Sequence, residues 1–194
     1  MPSKAILRSS DVTSLMRRAK EFGLAPVEVR PDLAAINFRK RKLVAEFADY
    51  RIQQLKNSRF DLYQEKGFFV SPHEVRAGKK TLKSKTIIIA TGTVVGKYNI
   101  PGLDKVGFIT SDQALEMREM PKSMIVLGAG PVALELAQFF CRVGVAVTLI
   151  QRSGHVLSDT DEDLARPIED RLREEGMKIY TKTQLQRVSS FGTA

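Results

Sequence analysis

A glycine-rich segment near residue 130 carries the residue types and spacing that point most directly to chemistry. It reads Gly-Ala-Gly-Pro-Val-Ala and fits the pattern G-x-G-x-x-G/A through Gly128, Gly130 and Ala133. In this pattern the first glycine permits a sharp turn and the second lets a pyrophosphate approach the backbone, while the third small residue lets a helix pack closely on a strand. The helix that follows directs free N–H groups and its dipole at the phosphates. The segment therefore predicts dinucleotide binding, with a purely structural glycine turn as the alternative.

The end of the next apolar run, residues 145–150, is expected to contact the ribose of that dinucleotide. An acidic side chain at this place accepts hydrogen bonds from a 2′-hydroxyl, whereas an arginine accommodates a 2′-phosphate. The sequence has Gln151 followed by Arg152, and a guanidinium binds a phosphate through a bidentate fork. This chemistry slightly favours NADP over NAD. The alternative is that Arg152 is a solvated side chain in an exposed loop.

The pattern around the glycine segment predicts a parallel α/β fold. Predicted strands at residues 123–127, 145–150 and 177–180 alternate with predicted helices at residues 132–142 and 161–175. Because strand–helix–strand crossovers are right-handed, the three strands should be parallel and lie in spatial order 3-2-1.

The first 120 residues follow a different pattern. Apolar residues at helical spacing predict one helix from residue 2 to about residue 20 and a second at Leu33–Lys56, with Asp32 as its N-cap. A run of three isoleucines predicts a strand that is buried on both faces. The predicted strands are residues 60–64, 68–70, 74–77 and 86–90, and Ser111 or Asp112 is predicted to cap a short helix that ends at Met120.

The composition argues against a metal site and against a membrane span. The 194 residues include one cysteine, Cys141, and two histidines, so neither an internal disulfide nor a multi-cysteine zinc site is available. No apolar run approaches the ~18–20 residues of a spanning helix. A single cysteine fits a reducing compartment. We therefore expect a cytoplasmic protein with no metal site and no membrane partner.

The formal net charge of +9 is concentrated in the first half of the chain. Residues 1–97 carry 20 Lys/Arg against 9 Asp/Glu. A basic half is one sign of nucleic-acid binding, but no aromatic residues suited to base stacking are interleaved with these charges. The run Arg39-Lys40-Arg41-Lys42 is interpreted as the solvated face of a helix. We therefore expect no nucleic-acid partner.

Five segments together resemble the FAD-dependent pyridine nucleotide–disulfide oxidoreductases, a family that includes dihydrolipoamide dehydrogenase, glutathione reductase and mercuric reductase. They occur in the family's order and spacing over nearly the whole chain. The resemblance implies a Rossmann-like NAD(P) domain at residues 121–194, preceded at residues 1–120 by the partial second half of an FAD-binding domain and a connector. The segments are PSKA from Pro2, TIIIATG from Thr86, IPG from Ile100, PKS from Pro121 and GAGPVALELA from Gly128.

The resemblance also implies roles for individual residues. Lys4 matches the lysine near the reactive edge of the flavin, and Glu135 matches the acidic residue that pairs with it, so both are implied catalytic residues. A contact within about 4 Å is expected between them. Ala90, Thr91 and Gly92 match the second FAD-contacting motif, where a strand ends beside the dinucleotide.

Two further segments of the resemblance concern the cofactors. Arg152-Ser153 resembles the NADPH-using members, whereas Gly154-His155-Val156 resembles the dihydrolipoamide dehydrogenases, which use NAD. The choice between NADP and NAD therefore stays open. Glu65 stands where relatives usually have glycine, in a segment that runs near the adenine half of FAD, which implies weak FAD binding.

In the family, hydride passes from NAD(P)H to FAD, and electrons then pass to a disulfide or a metal ion. The resemblance places both redox cysteines and the first FAD-binding glycine loop before residue 1, and the dimerisation domain after residue 194. We therefore expect a central fragment of a homodimeric flavoenzyme that binds NADP or NAD, holds FAD weakly or not at all, and is inactive by itself. The alternative is a non-catalytic NAD(P)-binding module or relic.

Overall fold

The structure is a computed structural model that describes residues 2–57, 59–96 and 98–190. By internal packing the chain divides into two compact units, one formed by Met1–Ala45 with Tyr98–Ala194 and the other by Glu46–Lys97. Each unit contains a three-stranded sheet. This division by packing differs in kind from the functional division at residue 120, which stays a prediction.

The described residues form six α-helices, one 3-10 turn and six strands. The helices are α1 (Pro2–Arg17), α2 (Leu33–Lys56), α3 (Leu103–Val106), α4 (Ser111–Glu116), α5 (Pro131–Val143) and α6 (Glu162–Glu174), with the 3-10 turn at Ala19–Phe22. The strands are β1 (Gly67–Ser71), β2 (Glu74–Ala77), β3 (Lys80–Lys83), β4 (Ser123–Leu127), β5 (Ala146–Ile150) and β6 (Lys178–Tyr180).

The larger unit contains the parallel sheet. Strand β5 lies between β4 and β6, and both pairings are parallel. The register places Leu127 opposite Ile150 and Ile150 opposite Tyr180, so the carboxyl ends of the three strands are aligned at one edge of the sheet. The predicted α/β class and strand order 3-2-1 are confirmed.

The core of this unit is formed mainly by α5 and the inner side chains of the parallel sheet. Phe139 and Phe140 of α5 are fully buried and meet edge to face, with ring centroids 5.0 Å apart. Leu149 of β5 and Ala165 of α6 are buried with them. Burial of this apolar face is the main stabilising term for the helix, because short helices are marginal by themselves in water.

Two predicted helix N-caps had different outcomes. The Asp32 carboxylate accepts a hydrogen bond from the Ala35 N–H at 3.0 Å, which confirms Asp32 as the N-cap of α2. Helix α4 begins at Ser111 and its N-cap is Thr110, so the predicted cap at Ser111 or Asp112 is wrong by at least one residue. The Gln113 side chain accepts from the Thr110 N–H at 2.8 Å, in a capping box. The helix ends at Glu116, short of the predicted end at residue 120.

The smaller unit contains an antiparallel meander in the order β1-β2-β3. The predicted strands at residues 68–70 and 74–77 are confirmed as β1 and β2. Strand β3 was not predicted, because its Lys-Thr-Leu-Lys sequence has little apolar content, and the left-handed turn at Gly78 (φ 58°) returns it alongside β2. Residues 60–64 are not a strand, which corrects that prediction.

Residues 86–90 are also not a strand, so the prediction of a strand buried on both faces is wrong. Ile88 and Ile89 are 87% and 69% exposed, and no described strand pairs with them. Such a strand needs hydrogen-bonding neighbours at its edges and a packed layer on each face. The described residues of this unit provide neither, because β3 ends at Lys83 and is paired with β2.

Candidate functional site

The predicted nucleotide turn directly follows β4. Gly128 has φ +90°, a conformation that L side chains rarely adopt. Its N–H donates to the carbonyl of Ile150 at 2.9 Å, which ties the turn to the end of β5. Ala129 is buried behind the turn. The first glycine therefore has the role that the sequence pattern predicts for it.

Gly130 lies at the N-cap of α5 and faces open space. Its backbone is extended, with φ −74° and ψ 172°, and Pro131 is the first helical residue. A Cβ added at Gly130 would meet no atom within 4 Å. The first amides of a helix have no intrahelical acceptor, and the dipole makes this end electropositive. The space before α5 therefore fits an anionic group such as a pyrophosphate, close to the half-buried Ala133.

The loop after β5 is tied to the glycine turn. The Leu157 N–H donates to the Ala129 carbonyl at 2.9 Å, and Leu157 has a left-handed backbone with φ 51°. Val156 is fully buried and anchors the same loop. The structure thus places residues 151–157 beside the turn at residues 128–130, as the expected shared dinucleotide implies, whereas the hydrogen bond from Leu157 to Ala129 was not predicted.

Gln151 and Arg152 differ in exposure. Gln151 is 7% exposed, its N–H donates to the Tyr180 carbonyl at 2.8 Å, and its carbonyl accepts from the Thr183 N–H at 3.0 Å. Arg152 is exposed and forms no ion pair with the described residues. Its guanidinium is therefore available to a ligand, whereas the Gln151 side chain is held within the fold.

Lys4 and Glu135 are in contact, as expected. The Lys4 Nζ donates to the Glu135 Oε1, and the two side chains are 65% and 30% exposed. The hydrogen bond from Lys4 lowers the pKa of Glu135; burial opposes this effect and a hydrogen bond from Ser3 assists it. Glu135 lies in the second turn of α5, so the pair adjoins the glycine turn. The predicted contact is confirmed, whereas a catalytic role for the two residues stays a prediction.

A second polar cluster joins α1, α5 and the residue after α6. Arg142 of α5 donates from Nε and Nη2 to the Glu175 carboxylate at 2.8 and 2.6 Å, and from Nη1 to Asp11 of α1 at 2.5 Å. Gln138 also donates to Glu175, at 3.1 Å. The Arg142 and Glu175 side chains are 17% and 9% exposed. These contacts were not predicted from the sequence.

Burial and the charges of the cluster together shift the pKa of Glu175 and of the adjacent Cys141. Burial opposes ionisation of Glu175, but hydrogen bonds and charge from Arg142 outweigh it and hold the pKa of Glu175 below its usual value. Burial raises the pKa of the half-buried Cys141 thiol, and the Glu175 charge raises it further. The thiol donates to the Glu175 carbonyl at 3.3 Å. Cys141 is therefore a poor nucleophile.

The basic run of α2 is exposed at Arg39, Arg41 and Lys42 but buried at Lys40, so the interpretation as a solvated face is wrong for Lys40. Lys40 is 2% exposed, and its Nζ donates to the Leu115 carbonyl and to the Glu116 carboxylate. Arg41 pairs with the same carboxylate at 2.6 Å. Hydrogen bonds from Lys40 and then Arg41 lower the pKa of Glu116. Arg39 donates to the Ala5 carbonyl at 2.8 Å. These three basic side chains hold helices together.

Ala90, Thr91 and Gly92 lie in the smaller unit, where they are exposed and outside any strand. Gly92 has φ +75°. Their role in FAD binding stays a prediction. Across the described ranges no helix has both the length and the apolar character to cross a membrane. Nor do three or more His, Cys, Asp or Glu side chains in those ranges come together as a metal-binding group.

Solved structures show the same fold. The HOCl-induced flavoprotein disulfide reductase RclA from Escherichia coli, in its Cu(II) complex, matches with a TM-score of 0.77 and 22% sequence identity. The match covers 99% of this chain and 41% of that chain.

The matches to similar sequences cover nearly all of this chain but only part of each relative. The mercuric reductase of Staphylococcus aureus is 31% identical over 193 residues, which are 99% of this chain and 35% of that protein. The dihydrolipoyl dehydrogenase of Acholeplasma laidlawii is 30% identical over 97% of this chain and 57% of that protein. The chain thus spans about a third of the length of the mercuric reductases of Staphylococcus aureus and Bacillus cereus. The family model described as pyridine nucleotide-disulphide oxidoreductase matches residues 1–193, and the chain therefore belongs to this family.

Proposed function

We propose that this chain provides the NAD(P)-binding portion of a flavoprotein oxidoreductase, together with residues that face the flavin. The observation that carries the proposal is the glycine turn at the start of α5. Gly130 stands at the positive end of the helix, and a Cβ added there would meet no atom within 4 Å. Gly128 and Ala129 anchor that turn to β5 and to the loop after it.

The residues around the turn have distinct proposed tasks. The α5 amides bind the pyrophosphate, and the exposed Arg152 contacts a 2′-phosphate, which favours NADP over NAD. Lys4 presents its ammonium group toward the flavin, and Glu135 orients that ammonium group through their ion pair. When both cofactors are bound, NAD(P)H supplies a hydride to FAD, which passes electrons on to a disulfide or a metal ion. The mercuric and dihydrolipoyl relatives support this substrate range.

The proposal includes a division of labour along the chain. Residues 1–120 belong to the FAD-binding side, with Ala90, Thr91 and Gly92 as FAD contacts, and residues 121–194 form the NAD(P) side. The lone Cys141, with its raised pKa, offers no pair of thiols for disulfide chemistry within these 194 residues. We propose accordingly that the 194-residue chain binds NADP or NAD but does not reduce disulfides by itself. A reducing, cytoplasmic setting fits this cysteine usage.

A dinucleotide titration tests the proposal. NADPH and NADH are titrated calorimetrically into the 194-residue chain and into its Gly130→Ala variant. The Gly130 backbone is compatible with alanine and its Cβ meets nothing in the fold, so we expect an unchanged melting temperature. The methyl group would instead stand where the pyrophosphate must approach, and we expect about a tenfold weaker affinity.

The matched control is Gly96→Ala, which adds the same methyl group in open space within the smaller unit. It should leave the affinity unchanged. Absence of NADPH and NADH binding to the parent chain would overturn the proposal. Equal affinities of the parent and Gly130→Ala chains would show that the dinucleotide does not bind at the glycine turn.

The flavin is tested separately, because a non-catalytic NAD(P)-binding module is the second candidate. The exposure of Ala90, Thr91 and Gly92 outside any strand favours that candidate. We expect gel filtration to strip FAD from the 194-residue chain and NADPH-dependent disulfide reduction to be at background. Stoichiometric flavin absorbance after gel filtration would contradict weak FAD binding and rule out the flavin-free module.

A further inference from the structure

Two ion pairs join α1 to α5 at the same sequence offset. Lys4 pairs with Glu135, and Asp11 pairs with Arg142, so both partners are 131 residues apart in each pair. The second pair lies one heptad further along both helices. Since seven residues span about 10.5 Å of helix, the two pairs brace α1 against α5 over two turns, and the helices run in the same direction.

The polarity of the pairs alternates. The cation belongs to α1 in the first pair and to α5 in the second. If α1 slid by one heptad, Lys4 would face Arg142 or Asp11 would face Glu135, and like charges would meet. Flanking charges set the register of paired helices in this way in coiled coils. The charges of the two pairs together therefore disfavour both registers that are shifted by one heptad.

The buried residues of α1 are poorly suited to fixing the register themselves. The buried face of α1 consists of Ile6, Ser10 and Thr13. Both hydroxyls are used within α1, since Ser10 donates to the Leu7 carbonyl at 2.8 Å and Thr13 to the Ser9 carbonyl at 3.0 Å. These small side chains form no specific polar contact across the interface, so the flanking ion pairs carry the polar specificity.

Arg142 is the fixed point of this arrangement. Glu175 holds its guanidinium through two hydrogen bonds, at 2.8 and 2.6 Å, and leaves Nη1 for Asp11. A bidentate pair restricts the side chain to one geometry. Arg17 adds a hydrogen bond from α1 to the Arg142 carbonyl, at 2.8 Å. Asp11 therefore pairs with a cation whose position is fixed by Glu175.

We propose that Asp11 and Arg142 are positioning residues, which fix the register of α1 on α5 and so hold Lys4 against Glu135. The importance of this for redox chemistry rests on the proposed function, but the positioning itself belongs to the 194-residue chain. Lys4 and Ser3 of α1 lower the pKa of Glu135, and the charge of the chain's amino terminus lowers it further, so this pKa reports on the fit of the helix against α5.

The test is the pKa of Glu135, measured by NMR on chain labelled at the glutamate carboxyl carbon and assigned with Glu135→Gln. In Asp11→Asn we expect this pKa to rise by about half a unit, a fraction of the one unit or more that a close opposite charge produces. Asp11→Glu, which restores a carboxylate, should return it to the parent value. Glu162→Gln breaks an exposed pair with Arg166 within α6 and should leave it unchanged.

The sign of the change separates positioning from direct electrostatics. Removing the Asp11 charge would by itself lower the pKa of Glu135 slightly, because a like charge about 10 Å away is largely screened. A rise therefore requires that the cationic end of α1, which carries Lys4, has moved away from Glu135. An unchanged or lowered value in a folded Asp11→Asn chain would overturn the proposal.

Arg142→Lys provides a second route should Asp11→Asn fail to fold. It keeps the positive charge but lacks the fork that serves Glu175 and Asp11 together, and the same upward change of the Glu135 pKa is expected. No change in that folded variant would equally overturn the proposal. Because no dinucleotide is used, this outcome is independent of whether the chain binds NADPH or NADH.

Discussion

The Leu157 N–H donates to the Ala129 carbonyl at 2.9 Å and so joins the loop after β5 to the glycine turn after β4. The two segments are separated by the whole of α5 and β5, yet this bond sets them side by side. Leu157 takes a left-handed backbone, φ 51°, to make it. The exposed Arg152 lies on this loop, and the hydrogen bond therefore fixes the position of its backbone relative to the turn.

Arg152 is expected to determine the preference between the two nicotinamide cofactors. Arg152→Gln removes the charge that would face a 2′-phosphate, and we expect about tenfold weaker NADPH binding with NADH binding unchanged. Calorimetric titration of both cofactors measures this. Arg166→Gln, on the exposed face of α6, is the control. Equal losses for both cofactors would show that Arg152 does not read the 2′ position.

Gly128→Ala is expected to act on the fold. The added Cβ meets no atom, but φ of +90° is unfavourable for a residue with a side chain. We expect a loss of about 1–2 kcal/mol in the free energy of unfolding, from the backbone alone. Chemical denaturation measures it, with Gly130→Ala as the neutral comparison. A loss below about 0.5 kcal/mol would mean that the turn adopts another conformation in solution.

Glu175→Gln is expected to flatten the acid limb of the stability curve. Burial opposes ionisation of Glu175, but Arg142 outweighs it and lowers the pKa in the folded chain. A lowered folded-state pKa contributes stability that is present in full above the unfolded value, about 4.3, and is lost as pH falls through the folded-state value. Melting temperatures from pH 7 to pH 3 should therefore fall less in Glu175→Gln, which starts lower at pH 7. A parallel fall in both proteins would contradict this assignment.

Lys40→Ala is expected to destabilise the larger unit. It would leave the Leu115 carbonyl at the end of α4 without its cation and would weaken the hold on Glu116. We expect a loss of about 2–3 kcal/mol, since a buried acceptor loses its partner and the buried stem loses its packing. Lys20→Ala, at an exposed site, should stay within about 0.5 kcal/mol of the parent. A Lys40→Ala chain as stable as the parent would mean that water replaces the ammonium.

Local patterns were sufficient where one short segment determines its own structure. The bounds of α2 and its Asp32 cap follow from apolar spacing and one capping side chain, and β4 and the glycine turn follow from strand and turn chemistry. The parallel order of β4, β5 and β6 follows from crossover handedness, which is the same for nearly all such units. The contact of Lys4 with Glu135 required the family resemblance, because the two residues are 131 positions apart.

Tertiary structure decided what depends on partners distant in the sequence. The sequence of residues 86–90 predicts a buried strand, but burial requires neighbouring strands and packed layers. The described part of their unit has no strand paired with these residues, and Ile88 and Ile89 are exposed. The sequence predicts a solvated Lys40, but its side chain is buried against Glu116 and the end of α4. The Asp11–Arg142 pair had one local sign, a spacing of seven residues from Lys4 and from Glu135. The sequence by itself determined which helices, strands and turns could form, because these depend on neighbours a few residues apart; only packing determined which charges were buried and which apolar residues were left exposed.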